Sequence, residues 1–386
     1  MTQTLSPANP FLFGKPVGGV NFCNRSTELA TLRELYMSAN SAWLYSPRRY
    51  GKTSLIKESF AQLDAPNIHT AYVDFLPISA GQDVAEVYMR GISPLVNTLF
   101  GNLTQALKEL KQLATSFVPA LTVDEDGKPV LTMTGHARVG DASPVLEDVL
   151  QLPEKLAQKR KQRVVVAIDE FQEVASIRGL EARLRSVMQH QQHVSYIMAG
   201  SRASLLKTIF TSPERPFYQF AHHIPIDKID IQELVRYICG RFEYTHVDIA
   251  DEHARQIVLL ADCHPHFVQY FASIAWQIAK NGALDEELIP LLTEQVVTSM
   301  DPGFRMFYDD LAMSQRRILA HIAVNGGEEM LSERVRAGSR LGSAATVQTA
   351  LAALEKKESL VRQNNEWKYI NPAFALWVRH QIVYAM

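Results

Sequence analysis

From Trp43 to Ile56 the chain reads WLYSPRRYGKTSLI: a short apolar run, a turn-prone segment closing in Gly51-Lys52-Thr53-Ser54, and an apolar-periodic segment directly after it. That order predicts strand, tight loop, helix. The first turn of a helix presents unpaired backbone N–H groups and the positive end of the helix dipole, so a loop in this place holds phosphate. In the pattern G-x-x-x-x-G-K-[ST] the lysine reaches the β- and γ-phosphate oxygens and the hydroxyl ligates magnesium. Ser46, Pro47, Arg48, Arg49, Tyr50, Gly51, Lys52, Thr53 and Ser54 fill this loop and are its candidate nucleotide contacts. Ser46 stands where the pattern has its first glycine. Serine fits there if its φ stays negative, so Ser46 is expected to end the strand with ordinary dihedrals while Gly51 makes the close approach to phosphate. Arg48 and Arg49 add charge directed to solvent or to a neighbouring subunit.

A second segment supports the first. Val164-Val165-Val166-Ala167-Ile168 is followed by Asp169-Glu170, the pattern of a strand buried on both faces whose C-terminal end delivers carboxylates to a site. Carboxylates are rarely buried without a partner, and a magnesium ion supplies one for Asp169. Glu170, pointing past the metal, is placed to polarise an attacking water as general base. This is the Walker B pattern, and its position after the phosphate loop makes nucleotide hydrolysis the leading expectation, with Lys52, Thr53, Asp169 and Glu170 as its core.

Further candidates flank these motifs. The strand-like run Val194 to Ala199 ends in Gly200-Ser201-Arg202, where a polar residue would sit beside the γ-phosphate; Ser201 is the candidate and Arg202 the alternative. The segment PERPFYQF places Arg215 between prolines, in position to stabilise γ-phosphate charge within the chain or across a subunit boundary. Ahead of the phosphate loop, Asn24 or Ser26 caps a helix with Leu29, Leu32 and Leu35 on its apolar face. Arg25 there is either a solvated helix-start residue or one facing a nucleotide base or ribose.

With 386 residues and hydrophobic residues at 47%, the chain is long enough for two or three domains of ordinary globular composition. No run of eighteen apolar residues occurs and the N-terminus lacks a signal-peptide pattern, so the expectation is a cytoplasmic protein with no membrane segment. Cys23, Cys239 and Cys263 are widely spaced and odd in number, which offers no disulfide framework and no zinc set. Within Cys263-His264-Pro265-His266 the proline suits the first turn of a helix, a better fit than metal binding. A net charge of −2 gives no global attraction to nucleic acid.

Three domains are expected: a nucleotide-binding domain over residues 1–227 with a β-hairpin insertion at about 117–133, a helical lid over 228–300, and a last domain over 301–386. Asp301-Pro302-Gly303 is read as the linker. Three helical segments and two strand-like pieces around Asn364-Asn365-Glu366 predict a winged helix for the last domain. Its third helix, Ala344 to Lys357, turns Leu351 and Leu354 inward and Thr346, Gln348 and Thr349 outward, where polar residues can reach base edges. Lys and Arg exceed Asp and Glu over residues 301–386 by only two (11 − 9), so a protein partner is as well supported as DNA.

Taken together, Phe22 to Glu28, SPRRYGKTSL, VVVAIDEFQEV, AGSR, RPFYQF, CHPHFVQ and YINPAFALWV resemble the archaeal-type ATPases of the P-loop superfamily, relatives of the AAA+ and STAND ATPases. The resemblance spans nearly the whole chain. It implies an α/β fold of the ASCE class, with the Walker B strand beside the phosphate-loop strand, a helical lid and a C-terminal winged helix. It also implies that ATP and magnesium are the ligands, that Phe22 and Arg25 approach the base, and that Pro265 and His266 of the lid lie near the nucleotide. Cys263 stands where the lid motif usually has glycine, and Gln219-Phe220 where some relatives carry a Gly-Arg pair, which leaves Arg215 as the remaining arginine-finger candidate. The function expected is a magnesium-dependent ATPase acting as a conformational switch; a nucleotide-responsive DNA-binding regulator and an ATP-bridged scaffold are the alternatives.

Overall fold

The structure is a computed structural model and describes residues 8–100, 103–123, 127, 129–134, 144–282 and 285–384. Two compact units are present: Gly18–Asp227, and Met1–Val17 together with Lys228–Met386.

Among the described residues the first unit has seven strands, β1 (Ala42–Tyr45), β2 (Ile68–Asp74), β3 (Val118–Val123), β4 (Pro129–Thr134), β5 (Arg163–Asp169), β6 (Val194–Gly200) and β7 (His222–Pro225). Five of them form a parallel sheet in the order β2-β5-β6-β1-β7. Side chains alternate across a strand, and the alternation divides the apolar residues of the sheet into two cores. Trp43, Val164, Val166, Ile168, Tyr196 and Met198 face one layer of helices. Ala42, Leu44, Val165, Ala167, Ile197 and Ala199 face the other. Burial on both faces is why β5 and β6 read as unbroken apolar runs.

The order of the sheet corrects one expectation. The Walker B strand β5 does not lie beside β1: it pairs with β2 and β6, and β6 pairs with β1. β6 is buried at every position, and the centre of a parallel sheet is where such a strand costs least. Its insertion brings Ser201, just past its end, between the two motif strands.

The insertion is a hairpin of β3 and β4 in antiparallel register, Val118 opposite Thr134. It docks on the helix Val84–Phe100, where the Leu131 N–H donates to Ser93 Oγ at 2.9 Å. Residues 124–126, within the expected hairpin insertion, lie outside the described residues. At the hairpin's base Asp148 accepts from the Thr115 N–H at 2.5 Å and the Ser116 N–H at 3.0 Å, and it pairs with Lys155 at 2.6 Å. Burial opposes ionisation of Asp148, but these donors and the lysine hold its carboxyl below the usual range.

In the second unit, residues 9–13 strap the helices that follow residue 228, so the lead-in does not belong to the nucleotide domain. Phe11 is buried, 5.6 Å from Phe242 and 6.3 Å from Tyr237 by ring centroid, and Asn9 Nδ2 donates to the Ser273 carbonyl at 2.9 Å. The helices are Ile231–Tyr244, Asp251–Leu260, Pro265–Lys280 and Leu288–Asp309. The last of these corrects the expected linker, because it runs unbroken through Asp301, Pro302 and Gly303. Proline here removes one helical hydrogen bond, and tertiary contacts hold the turn: Trp377 Nε1 donates to Asp301 Oδ1 at 2.9 Å, and Phe304 packs 5.1 Å from Phe374.

After it come helices Met313–Asn325, Glu333–Gly338 and Ala344–Lys356, a hairpin of β8 (Leu360–Gln363) and β9 (Glu366–Tyr369), and a closing helix Pro372–Tyr384. Ser343 caps the third helix by accepting from the Thr346 N–H at 3.2 Å. Val347, Leu351 and Leu354 are buried, while Thr346, Gln348 and Thr349 are exposed. The closing helix was not anticipated as an element. Its Phe374, Trp377 and Val378 complete the core of this part.

Candidate nucleotide site

The site forms at the C-terminal ends of β1, β5, β6 and β2, the edge at which open parallel sheets bind ligands. After β1 the chain turns through Ser46 to Gly51 and enters the helix Lys52–Ala61. Gly51 takes φ +89°, which only glycine adopts without strain, and Arg49 takes φ +67°. Ser46 is not among the residues with positive φ, so it ends the strand as expected. Arg48 and Arg49 are exposed and Tyr50 is buried.

Lys52 folds back across the loop: Nζ donates to the Ser46 carbonyl at 2.9 Å, to the Pro47 carbonyl at 3.1 Å and to Ser46 Oγ at 3.3 Å. Burial lowers the lysine pKa, and the carboxylates of Asp169 and Glu170 act in the opposite direction. Ser46 thus serves the loop as an acceptor, a role its replacement of glycine makes possible through the side chain as well as the backbone.

Thr53 Oγ1 donates to Asp169 Oδ2 at 2.6 Å, which brings the two motifs together across 116 residues of sequence. Asp169 is 5% exposed and accepts on Oδ1 from the Glu170 N–H at 3.0 Å. A hydroxyl and a carboxylate oxygen side by side form an oxygen-only donor set that fits a hard cation such as magnesium, which takes one or two protein carboxylates and completes its shell with phosphate and water. Glu170 adopts φ +51°, ψ +38°, a left-handed conformation uncommon outside glycine, Asn and Asp. From it the carboxylate reaches the end of β6, where Ser201 Oγ donates to Oε2 at 2.9 Å. Ser201 therefore belongs to the site. The alternative, Arg202, is directed to Glu173 at 3.8 Å.

Two residues that bond the candidate carboxylates were not among the sequence candidates. Tyr72, on β2, donates its hydroxyl to Asp169 Oδ2 at 2.6 Å; burial and the neighbouring carboxylate push its phenol up. The available signal was register: Tyr72 and Asp74 alternate onto one face at the strand end, and Asp74 stands opposite Asp169. Gln172 is the second, and its amide donates to Glu170 Oε2.

A family profile described as an ATPase domain predominantly from Archaea matches residues 22–236, and a profile described as a "probable winged helix domain" matches residues 302–380. The chain belongs to this family of ATPase domains. Among curated proteins no match is found. Among solved structures it is similar to a Walker-type ATPase of Pyrococcus abyssi, with 18% identity, 95% of this chain and 99% of that one covered, and a TM-score of 0.63. It is also similar to the ORC2 protein of Aeropyrum pernix, solved in ADPNP and ADP complexes, with 14% identity, 94% of both chains covered and a TM-score of 0.52. At these identities the likeness shows the fold alone.

In this ATPase the remaining candidates are placed as follows. Arg25 is not the solvated helix-start residue of the first alternative: it ties the phosphate loop to the end of the unit. It is buried, with φ +78°, and its guanidinium donates to Glu28 at 2.9 Å, to the Asp227 carbonyl at 2.6 Å and to the Tyr50 carbonyl at 3.4 Å. The carbonyls of the phosphate loop and of the unit's last residue compete successfully for its donors. Phe22 is half-buried against the core beneath the phosphate-loop helix and lines a cavity of about 490 Å³ with Leu29, Glu58 and Leu63. Arg215 is paired with Glu181. At the place of the relatives' Gly-Arg pair, Gln219 keeps the glycine-like backbone with φ +51°, and Phe220 packs 5.3 Å from Phe217 with the Arg185 guanidinium 4.5 Å over its ring.

Pro265 and His266 lie in the second unit at the start of the helix Pro265–Lys280. His266 packs 6.3 Å from Phe13 of the N-terminal strap, whereas His264 is 3% exposed. Cys263 takes φ +52°, the left-handed turn that explains glycine in the lid motif. His193 bonds Glu154 at 2.8 Å. Among the described residues no helix is long and apolar enough to cross a membrane.

Proposed function

We propose that this ATPase works as a magnesium-dependent conformational switch: ATP at the phosphate loop stabilises one arrangement of its two units, and hydrolysis releases it, moving the winged helix. The observation that carries this reading is the convergence of Lys52, Thr53, Asp169, Glu170 and Ser201 on one edge of the sheet, with Thr53 and Asp169 2.6 Å apart. Thr53 and Asp169 are the residues that would hold magnesium, which when bound neutralises charge on the β- and γ-phosphate oxygens. Lys52 leaves its loop carbonyls for phosphate oxygens. Glu170 holds the attacking water and takes its proton, and Ser201, bonded to Glu170, sits where the γ-phosphate can be sensed. The second unit, joined at residues 17–18 and again at 227–228, is the moving part, because a ligand shifts such an equilibrium only through different contacts in the two states.

The test is a pair of spin labels, one on each exposed unit surface, with their separation measured in ATP, in ADP and without nucleotide. The switch predicts a distance distribution that changes between ATP and ADP in the wild type and does not respond in Lys52→Ala; identical distributions in all three states refute it.

The winged helix is proposed to bind duplex DNA through Thr346, Gln348 and Thr349. These residues form an exposed polar face at the N-terminal half of the third helix, and Arg334, 84% exposed, lies on the preceding helix. Anisotropy of labelled duplex at low salt should rise with protein, and rise less with Gln348→Ala; no change in either nucleotide state leaves a protein partner or self-assembly as the reading.

A further inference from the structure

Gln172 follows Glu170 by two residues in the turn Phe171–Ser176. Its side chain is 1% exposed. The Nε2 end donates to Glu170 Oε2, the same oxygen that accepts from Ser201 Oγ at 2.9 Å. The opposite amide orientation would set two acceptors against each other, so the donor end is the one facing the carboxylate. At the other end, Gln172 Oε1 is buried without a hydrogen-bond partner among the described residues. That is an unusual arrangement: a buried polar atom left unpaired is costly, and native proteins rarely keep one without a reason.

The neighbouring strand has been shaped around it. β6 ends in Gly200, whose φ is not in the left-handed region, so backbone freedom does not explain the glycine. Space does. A Cβ on Gly200 would overlap Gln172 Oε1 and lie 3.1 Å from its Cδ. The absence of a side chain at Gly200 is what admits the amide, and the amide's bonding end goes to Glu170. Because Gln172 and Ser201 both take Oε2, and among the described residues no donor reaches Oε1, the carboxylate is fixed in rotation with one oxygen free for the attacking water.

We propose that Gln172 is the positioning residue of the general base, seated by the missing side chain of Gly200, and that together with Ser201 it holds Glu170 in the one orientation that presents Oε1. This rests on the reading of Glu170 as general base. A positioning role acts on turnover and only through Glu170; a packing role at the same place would change folding, nucleotide affinity, or both. A one-ångström misplacement of a reacting group costs roughly a hundredfold in rate, and Ser201 remains as a second anchor, so the loss expected from removing Gln172 alone is smaller.

The experiment uses the full chain with MgATP. Gln172→Met keeps the length and apolar stem of the side chain and removes the amide; Gly200→Ala keeps the amide and displaces it, which provides a second variant if the first folds poorly. Each is expected to lower kcat at least tenfold with KM within twofold of wild type, and with binding of a fluorescent ATP analogue unchanged. In a Glu170→Gln background, followed by single-turnover measurement, Gln172→Met is expected to add no further loss. The proposal is overturned if kcat stays within twofold of wild type in both variants, if the loss appears in KM, or if Gln172→Met costs the same factor with and without Glu170. A Glu170→Gln chain that turns over like wild type is a different result: it removes the general-base reading itself.

Discussion

Tyr72→Phe isolates the support of Asp169, the carboxylate proposed to hold magnesium, because it removes one oxygen and leaves the ring with Lys57 5.1 Å from its centroid. The hydroxyl donates to Asp169 Oδ2 at 2.6 Å, the oxygen that also accepts from Thr53. Thr53 and Asp169 would hold magnesium, and Tyr72 would then be the side-chain donor that orients the carboxylate. A hydrogen bond to a charged acceptor contributes about 1.5–3 kcal/mol, and the half-buried position of Tyr72 places the value near the lower bound. About 1.5 kcal/mol corresponds to roughly a tenfold change in an equilibrium constant, which agrees with the lower limit for losing an outer-shell partner of a metal ligand. The assay is a magnesium titration of fluorescent ATP-analogue binding at fixed nucleotide. Half-saturation should move to about tenfold higher magnesium in Tyr72→Phe, with nucleotide binding in magnesium-free EDTA unchanged. An unaltered titration would show that Tyr72 does not support Asp169 in holding magnesium.

Other perturbations test other parts of the chain. Cys263→Gly removes a β-carbon from a residue at φ +52°; relief of a left-handed backbone less the added chain entropy should stabilise the second unit by about 0.5–1 kcal/mol, read as a higher melting temperature, and a lower one contradicts it. Asp148→Ala should destabilise the first unit by about 2 kcal/mol near pH 7. The Asp148 carboxyl is held below its usual range in the fold, so its contribution is present above the unfolded pKa and is lost as pH falls through the folded one. The stability difference from wild type, measured in urea at several pH values, should therefore shrink toward acid; a constant difference rules the argument out. Phe11→Ala should cost about 3–4 kcal/mol in the second unit, seen as a lower urea midpoint by tryptophan fluorescence, and an unmoved midpoint would show that the N-terminal strap carries no stability.

Legibility in the sequence followed the range of the interaction. Lys52, Thr53, Asp169 and Glu170 could be found because each sits at a fixed offset from a strand end or helix start, and backbone geometry alone determines where the side chain goes. The strand character of β5 and β6 was visible in their short unbroken apolar runs. Neighbours across the sheet were not. The place of β6 between β5 and β1, and the reach of Tyr72 from β2 to Asp169, depend on register between segments far apart in sequence. The bonds of Arg25 to the Tyr50 and Asp227 carbonyls are set by tertiary packing and were not readable from its spacing ahead of the phosphate loop. At residues 301–303, local turn chemistry pointed to a linker, and packing of Asp301 and Phe304 on the closing helix prevailed. Gln172 and Gly200 are both plain in the sequence, but the overlap that links them appears only when β6 is laid beside the turn after β5.

In the proposed mechanism Glu170 performs the chemistry on nucleotide held by Lys52, Thr53 and Asp169. Steady-state ATP hydrolysis by wild type and Glu170→Gln, with fluorescent ATP-analogue binding measured on the same samples, tests it most directly. Loss of a general base lowers turnover by about 10²–10⁴-fold, so the variant should bind nucleotide like wild type and release phosphate at least a hundredfold more slowly. A Glu170→Gln chain that binds ATP and hydrolyses it at the wild-type rate contradicts the assignment.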